Sequence, residues 1–312
     1  MRGYHPPRFM RRVLSIVGLL LAIPVVYGVA IEPRFLLDDE SFEAELPGLP
    51  PGWDGKTVAL MADFQIGMWF GNTAMVEEAV EDAIGDSVAL ALIAGDFLYE
   101  PNEERVRQAV AVVRPLVEAG IPTVAVLGNH DYSMMKESSE VVQTHADQLR
   151  EQLEAIGVVV LQNQATPVVA DGDTLWIAGV GSSWAGLDDV DATLAAVPRG
   201  APRLWLMHNS EAFREIPGEE AHLALAAHTH GGQVRVLPGE RNSWLDIVRE
   251  GEVAADGWAA DSIGAPPNRI YINRGIGFST VPIRINCRPE LTEITLRVPD
   301  GRVPSVGPGV DR

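Results

Sequence analysis

Five short polar clusters, each placed where an apolar run stops, constrain this chain more than any other feature. They are Asp63-Phe64-Gln65, Gly95-Asp96, Gly128-Asn129-His130-Asp131, His208-Asn209 and His228-Thr229-His230-Gly231-Gly232. The runs ahead of them (Thr57–Met61, Val88–Ala94, Thr123–Leu127, Leu204–Met207 and Leu223–Ala227) are short and rich in Val, Ile, Leu or Ala. Each is closed by a polar or Gly residue, which reads as a strand buried on both faces. In an α/β sheet the carboxyl ends of such strands converge on one rim, where loops build a site. Asp, Asn and His gathered there point to a site for more than one metal ion.

Of the seven His in the chain, four (His130, His208, His228, His230) fall in these clusters, beside three Asp and two Asn. One such residue at a strand end is ordinarily a turn former; the combination is not. Carboxylate, imidazole and amide oxygen together suit hard and borderline divalent ions, and thiolate zinc sites are excluded because Cys287 is the sole cysteine. His228 and His230 cannot share one face of a regular strand. A turn at Gly231-Gly232 would let them straddle two ions.

The formal charge is −19, and residues 1–34 hold five Arg against one Glu, leaving −23 on the remainder (−19 minus +4). Such an acidic body repels nucleic-acid backbone, so no nucleic-acid partner is expected. Four Arg precede Val13–Ala30, an apolar run of 18 residues. Its length favours an uncleaved membrane anchor, with small residues at Gly28-Val29-Ala30 leaving a cleaved export signal as the alternative. Arg on the leading side places the N-terminus in the cytoplasm and the bulk of the chain outside. Residues 1–30 are thus the anchor or signal, and 31–55 a Pro-rich extended linker. The folded domain is 56–299 and a disordered tail 300–312.

From Lys56 strand-like and helix-like segments alternate, with helices expected over Ala74–Ile84, Glu103–Ala119 and Ser138–Ile156 and a strand at Val158–Leu161. The second half is strand-rich: Val168–Ala170, Thr174–Val180, Ile270–Asn273, Val281–Ile285 and Leu291–Val298. Two stacked sheets flanked by helices follow. Residues 238–268, with Trp244 and Trp258, form a weakly patterned insertion, either a lid or a surface loop.

The series D-x-Q, G-D-F, G-N-H-D, H-N and H-T-H-G-G-Q resembles the calcineurin-like metallophosphoesterases from about Lys56 to Val298. It is most similar to a bacterial membrane-associated subfamily, whose ending resembles Asn273-Arg274-Gly275-Ile276-Gly277 and the Pro282–Glu290 stretch. The resemblance implies an α/β fold, a four-layer α/β/β/α sandwich, and two divalent metal ions. Asp63, Gln65, Asp96 and His230 would hold the first ion; Asp96, Asn129, His208 and His228 would hold the second, Asp96 bridging. Two cations roughly 3.5–4 Å apart clamp a phosphoryl group and activate water. His130 would then serve the leaving-group oxygen, and Asp131 would either fix the His130 tautomer or cap its loop. Arg274 and Arg284 are candidate phosphate-binding groups or structural ion pairs. Trp69 and Phe70 are either an apolar rim or core.

Most of the family has His where this chain has Gln65. An amide oxygen is a harder, weaker ligand than imidazole, which puts Mn²⁺ first and leaves Mg²⁺, Fe²⁺ or Zn²⁺ as alternatives. Related manganese-dependent nucleotide-diphosphate hydrolases look similar in having Gln here. Ala227 replaces the usual Gly and Ser210 a common Pro, neither of which removes a ligand. The expectation is a phosphoesterase acting on a phosphate mono- or diester, lipid-linked or nucleotide diphosphate. A catalytically weak metal- or phosphate-binding protein that keeps the fold is the alternative. Similarity to the UDP-diacylglucosamine diphosphatases does not carry over simply, since their reaction is cytoplasmic.

Overall fold

The computed structural model describes residues 7–235, 243 and 254–299, without the side chains of Arg11 and Leu21. Most of the 238–268 insertion, Trp244 included, and the tail from residue 300 lie outside the described residues.

The strand-like runs form two six-stranded sheets. The first takes β1 (Asp38–Glu45), β12 (Glu290–Arg297), β2 (Thr57–Met61), β3 (Leu90–Ala94), β4 (Thr123–Val126) and β5 (Val159–Leu161), in that order across the sheet. Every neighbouring pair in it is parallel except β12 with β2. The second runs β10 (Gly257–Trp258), β11 (Ile270–Ile272), β9 (Ala224–Ala226), β8 (Arg203–Leu206), β7 (Asp173–Gly179) and β6 (Gln164–Ala170). Its three central pairings are parallel, with antiparallel strands at both edges.

Strand periodicity sorts the side chains into layers. Leu90 and Leu92 of β3, with Val58, Leu60, Val124 and Val126, meet Leu175, Ile177, Leu204, Leu206 and Leu225 between the sheets. The alternate residues Ala59, Met61, Ala91, Ile93 and Ala125 face α3 (Thr73–Gly85), α4 (Glu103–Glu118) and α5 (Gln143–Ile156). On the far side Trp205, Met207, Ala224 and Ala226 pack with Val190 of α6 (Val190–Ala195) and with Phe213 of a short 3₁₀ turn. The order helix, sheet, sheet, helix is the expected sandwich.

Local signals explain the helix ends. The Asn102 side chain caps α4 by accepting the Arg105 N–H at 3.0 Å, with Glu103 and Glu104 favourably placed in its first turn. Gly157 ends α5 at φ 105°, where a Cβ would be strained.

Three expectations shift. Residues 31–55 are packed rather than free: β1 pairs in parallel with β12 from Asp38↔Glu290 to Glu45↔Arg297, and Trp53 is fully buried. Acidic side chains at Asp39, Glu43 and Glu45 hid a strand that suits a sheet edge. Val281–Ile285 is not a strand; only Ile285 bridges, to Val234. Pro282 cannot donate to a ladder, and Gln233 Nε2 instead donates to the Val281 and Ile283 carbonyls. The loop to α5 runs longer than expected because the Val142 N–H donates to the Tyr132 carbonyl at 2.9 Å.

At the N-terminus α1 (Arg8–Val26) is apolar and exposed, and with the following turns it forms a helical stretch, Arg8–Phe35, long and apolar enough to cross a membrane. It continues through a π-turn at Tyr27–Ile31 into the short α2 (Glu32–Phe35).

Candidate metal centre

The carboxyl ends of β2, β3, β4, β8 and β9 bring the five clusters together. The backbone there is bent hard: Asp63, Gln65, Asp96, His228 and His230 all have φ between 50° and 77°. These left-handed conformations are uncommon for non-glycine residues and are typical of sites held by their surroundings. Two glycines make the approach possible. A Cβ on Gly128 would stand 2.2 Å from Asp96 Oδ1, and one on Gly275 would stand 2.3 Å from Asp63 Oδ2.

Asp96 lies at the centre. Its Oδ1 accepts the His130 N–H at 2.8 Å, and its Oδ2 lies 2.9 Å from Gln65 Nε2 and 3.3 Å from His208 Nε2. His208 Nε2 is also 3.1 Å from Asn129 Oδ1 and 3.2 Å from His228 Nδ1, while its other nitrogen faces the Ala94 carbonyl at 2.7 Å. That last contact orients the ring so that Nε2 points into the cluster. The Asn129 amide nitrogen donates to the Met134 carbonyl at 2.9 Å, which turns its oxygen inward. On the other side Asp63 Oδ1 is 3.7 Å from His230 Nε2.

Two groups have donor atoms close enough to share an ion: Asp96, His208 and His228, and Asp63, Asp96 and His230. Asp96 belongs to both. His228 and His230 fall in different groups because His230–Gly232 forms a 3₁₀ turn with positive φ at Gly231. The donors fit divalent ions on a physical test. Both Asp63 oxygens, Gln65 Oε1 and His230 Nδ1 are buried without a hydrogen-bond partner, a costly state that a cation coordinating the carboxylate and amide oxygens relieves.

Electrostatics agree. Burial pushes the Asp63 carboxyl up to about 7, against the opposing pull of His208. Burial would also raise Asp96, but His208 and His130 outweigh it and hold it below the usual range. Burial lowers His208, yet the Asp96 charge and hydrogen bond carry it up to about 9. His230 is driven well below 6.5 by burial and by Arg284.

His130 lies at the wall of a cavity of about 450 Å³, with Asp96, Asn129, His228 and His230. Its Nδ1 contacts the Tyr99 carbonyl at 3.0 Å and its ring stacks on Tyr99. Asp131 therefore does not set the His130 tautomer through that nitrogen. Its carboxyl accepts the backbone N–H groups of Gly128 (2.9 Å), Leu98 (3.0 Å) and Asp96 (3.1 Å), tying the loops after β3 and β4 together. These three contacts are the ones a loop cap makes.

Neither arginine is free to hold phosphate. Arg284 is completely buried and donates to the carbonyls of Gly277, Gly275, Arg274 and Cys287. Arg274 pairs with Glu290 at 2.9 Å and Asp38 at 2.7 Å, and lies 3.6 Å from Asp256. A guanidinium has five donors, and here carbonyls and carboxylates occupy them. Trp69 and Phe70 are exposed at 62% and 58%, so they form surface rather than core.

Trp184 was missed by sequence reasoning: its ring packs edge-on against His228 at 4.4 Å. Asn209 places it, accepting from Ser182 Oγ at 2.8 Å and so holding the loop after β7. Tyr99 was likewise missed. The Gly-Asp-Phe signature two residues upstream was the available signal.

Carboxylates, imidazoles and amides converging on two adjoining positions at a sheet rim define a metal-dependent hydrolase. The chain belongs to the calcineurin-like phosphoesterases, whose family model matches residues 56–234. It is similar to phosphodiesterase YaeI of Escherichia coli (strain K12), at 31% identity over 224 residues covering 72% of this chain and 76% of that protein. It is 26% identical over 278 residues to the uncharacterized metallophosphoesterase YkuE of Bacillus subtilis (strain 168), covering 87% of this chain and 90% of that one. A transmembrane protein with metallophosphoesterase domain from Danio rerio is 24% identical over 321 residues, covering 93% of this chain and 63% of its own length.

Proposed function

We propose that the chain is a two-metal phosphoesterase that hydrolyses a phosphate mono- or diester. Asp63, Gln65, Asp96 and His230 would hold one divalent ion, and Asp96, Asn129, His208 and His228 the other. Mn²⁺ is the preferred ion because Gln65 replaces an imidazole with an amide oxygen. The observation that carries this reading is the sharing of Asp96 between two donor groups, one of which holds the orphaned buried atoms of Asp63 and His230. When bound, such ions supply positive charge for the phosphoryl group and activate water. His130, at the cavity wall, serves the leaving-group oxygen as proton donor or electrostatic stabiliser. Asp131 keeps the loops of Asp96 and Asn129 in register.

The N-terminal helix is an uncleaved anchor in a bacterial cell membrane, with the catalytic domain on the extracytoplasmic side. Burial of Gly28 and Glu32 against the domain supports retention, since cleavage near Ala30 would remove Gly28 from its place. Metal analysis of the purified full chain and turnover of bis-p-nitrophenyl phosphate under Mn²⁺ test the assignment. About two ions per chain and turnover abolished by His130→Ala or Asn129→Ala are expected. One ion, with turnover indifferent to both substitutions, would favour a binding protein that keeps the fold.

A further inference from the structure

The end of the membrane helix and the wall of the cavity belong to one surface. Gly28 sits so tightly on the C-terminal segment that an added Cβ would lie 2.4 Å from Ile285 Cγ1, and its carbonyl accepts the Arg284 N–H at 2.9 Å. A few residues earlier the same segment, Ser279 to Val281, lines the cavity. Four residues span at most about 14 Å, so the cavity mouth lies close to where α1 leaves the domain.

Large apolar side chains are exposed around that point: Phe35 at 71%, Trp69 at 62%, Phe70 at 58% and Val281 at 46%. The Arg34 guanidinium lies 4.1 Å from the Phe70 ring centre and 5.6 Å from that of Phe278, and donates to the Phe70 carbonyl at 2.5 Å. Phe278 packs in turn with Met68 and Tyr99, the residue that stacks on His130. Leu14, Leu19, Leu20, Ile23 and Val26 leave α1 apolar and open along its length. A helix hydrophobic all round belongs in lipid, and Trp, Phe and a snorkelling Arg are the side chains that favour the bilayer interface.

We propose that the edge carrying Phe35, Trp69, Phe70 and Val281 seats in the headgroup–acyl boundary of the bilayer that holds α1, and that the cavity takes a phosphate ester carried on a long aliphatic chain. The phosphate end faces Asp96 and His130, and the chain leaves past Val281 and the half-exposed Met135 toward the lipid. The inference rests on the anchored-phosphoesterase reading and narrows its substrate.

The full chain is reconstituted with Mn²⁺ in phosphatidylcholine vesicles and given p-nitrophenyl hexadecyl phosphate or p-nitrophenyl ethyl phosphate. Each reaction consumes one water. The phosphorus–oxygen bond to nitrophenol breaks, one forms to the water oxygen, and the alkyl phosphate and nitrophenol leave with the two protons. The expected kcat/KM for the hexadecyl ester is at least about tenfold that for the ethyl ester. That ratio falls to within about threefold in the Trp69→Ser/Phe70→Ser double variant. Tryptophan fluorescence of the wild type should also be quenched by brominated phosphatidylcholine, with part of the quenching lost in Trp69→Leu. Equal rates on both esters, or quenching unchanged by Trp69→Leu, would overturn the proposal while leaving the phosphoesterase reading intact. No turnover of either ester sinks that reading instead, and failure of the chain to float with vesicles removes the anchor and the inference together.

Discussion

The Glu32 carboxylate, fully buried just after α1, accepts the backbone N–H of Cys287 at 2.5 Å, across 255 residues of sequence. Its other oxygen accepts the Asn286 N–H at 2.8 Å. Cys287 Sγ then lies 3.4 Å from the His230 carbonyl and 3.5 Å from that of Gly231. A Cβ on Gly231 would meet that sulfur at 2.7 Å, so no other residue fits unstrained at this turn. The turn after α1 thus braces the loop that presents His230.

Glu32→Ala should orphan two buried donors and destabilise the protein by about 2–4 kcal/mol. It should also weaken the second of two Mn²⁺ binding events in titration calorimetry, because the His230 loop loses its backing. Glu32→Gln restores one acceptor and should recover part of both losses. Unchanged metal binding in a folded Glu32→Ala protein would show that the brace ends at Cys287.

Gln65→His should change metal preference. An imidazole in place of the amide oxygen is expected to raise affinity for Zn²⁺ over Mn²⁺ by about tenfold at one of the two sites. Competition titration of the purified variant against the wild type reads this directly. An unaltered preference would remove Gln65 from the ligands.

Arg284→Met should lower the unfolding free energy by about 3–5 kcal/mol, since several buried carbonyls lose their donor. Arg274→Leu should act similarly by leaving the buried Glu290 without its cation. Thermal denaturation and KM for a soluble diester separate this role from phosphate binding. A raised KM with unchanged Tm would point to substrate contact instead.

Burial pushes the Glu293 carboxyl up to about 7, with Asp86, Asp39 and Asp82 adding like charge. A carboxyl raised above its unfolded value of 4.5 binds its proton more tightly in the folded state. Stability is therefore lost as pH rises from about 4.5 through 7. Glu293→Gln should remove this component, stabilising the protein at pH 8 by about 1 kcal/mol after allowance for solvent screening, with little gain at pH 5. Denaturant melts at the two pH values give the comparison; an equal shift at both would assign the effect to packing.

The strands that carry the site are legible in the order of residues alone. Thr57–Met61, Leu90–Ala94 and Thr123–Val126 are short, apolar apart from an opening Thr in two of them, and followed by Asp or Gly-Asn, and burial on both faces leaves little freedom in reading them. The sequence also marked the residues that form the two donor groups, because carboxylate, amide and imidazole at strand ends have few other uses in combination. Tertiary structure alone decided the parts whose partners are remote. β1 is too acidic to read as a strand and exists because β12 supplies its ladder. Arg274 and Arg284 look like phosphate ligands until buried carbonyls and Glu290 occupy their donors. Asp131 turned to three backbone amides, and Glu32 to Cys287, for one reason: a buried polar group takes whatever partner the fold brings within reach, and that partner is not written beside it in the chain.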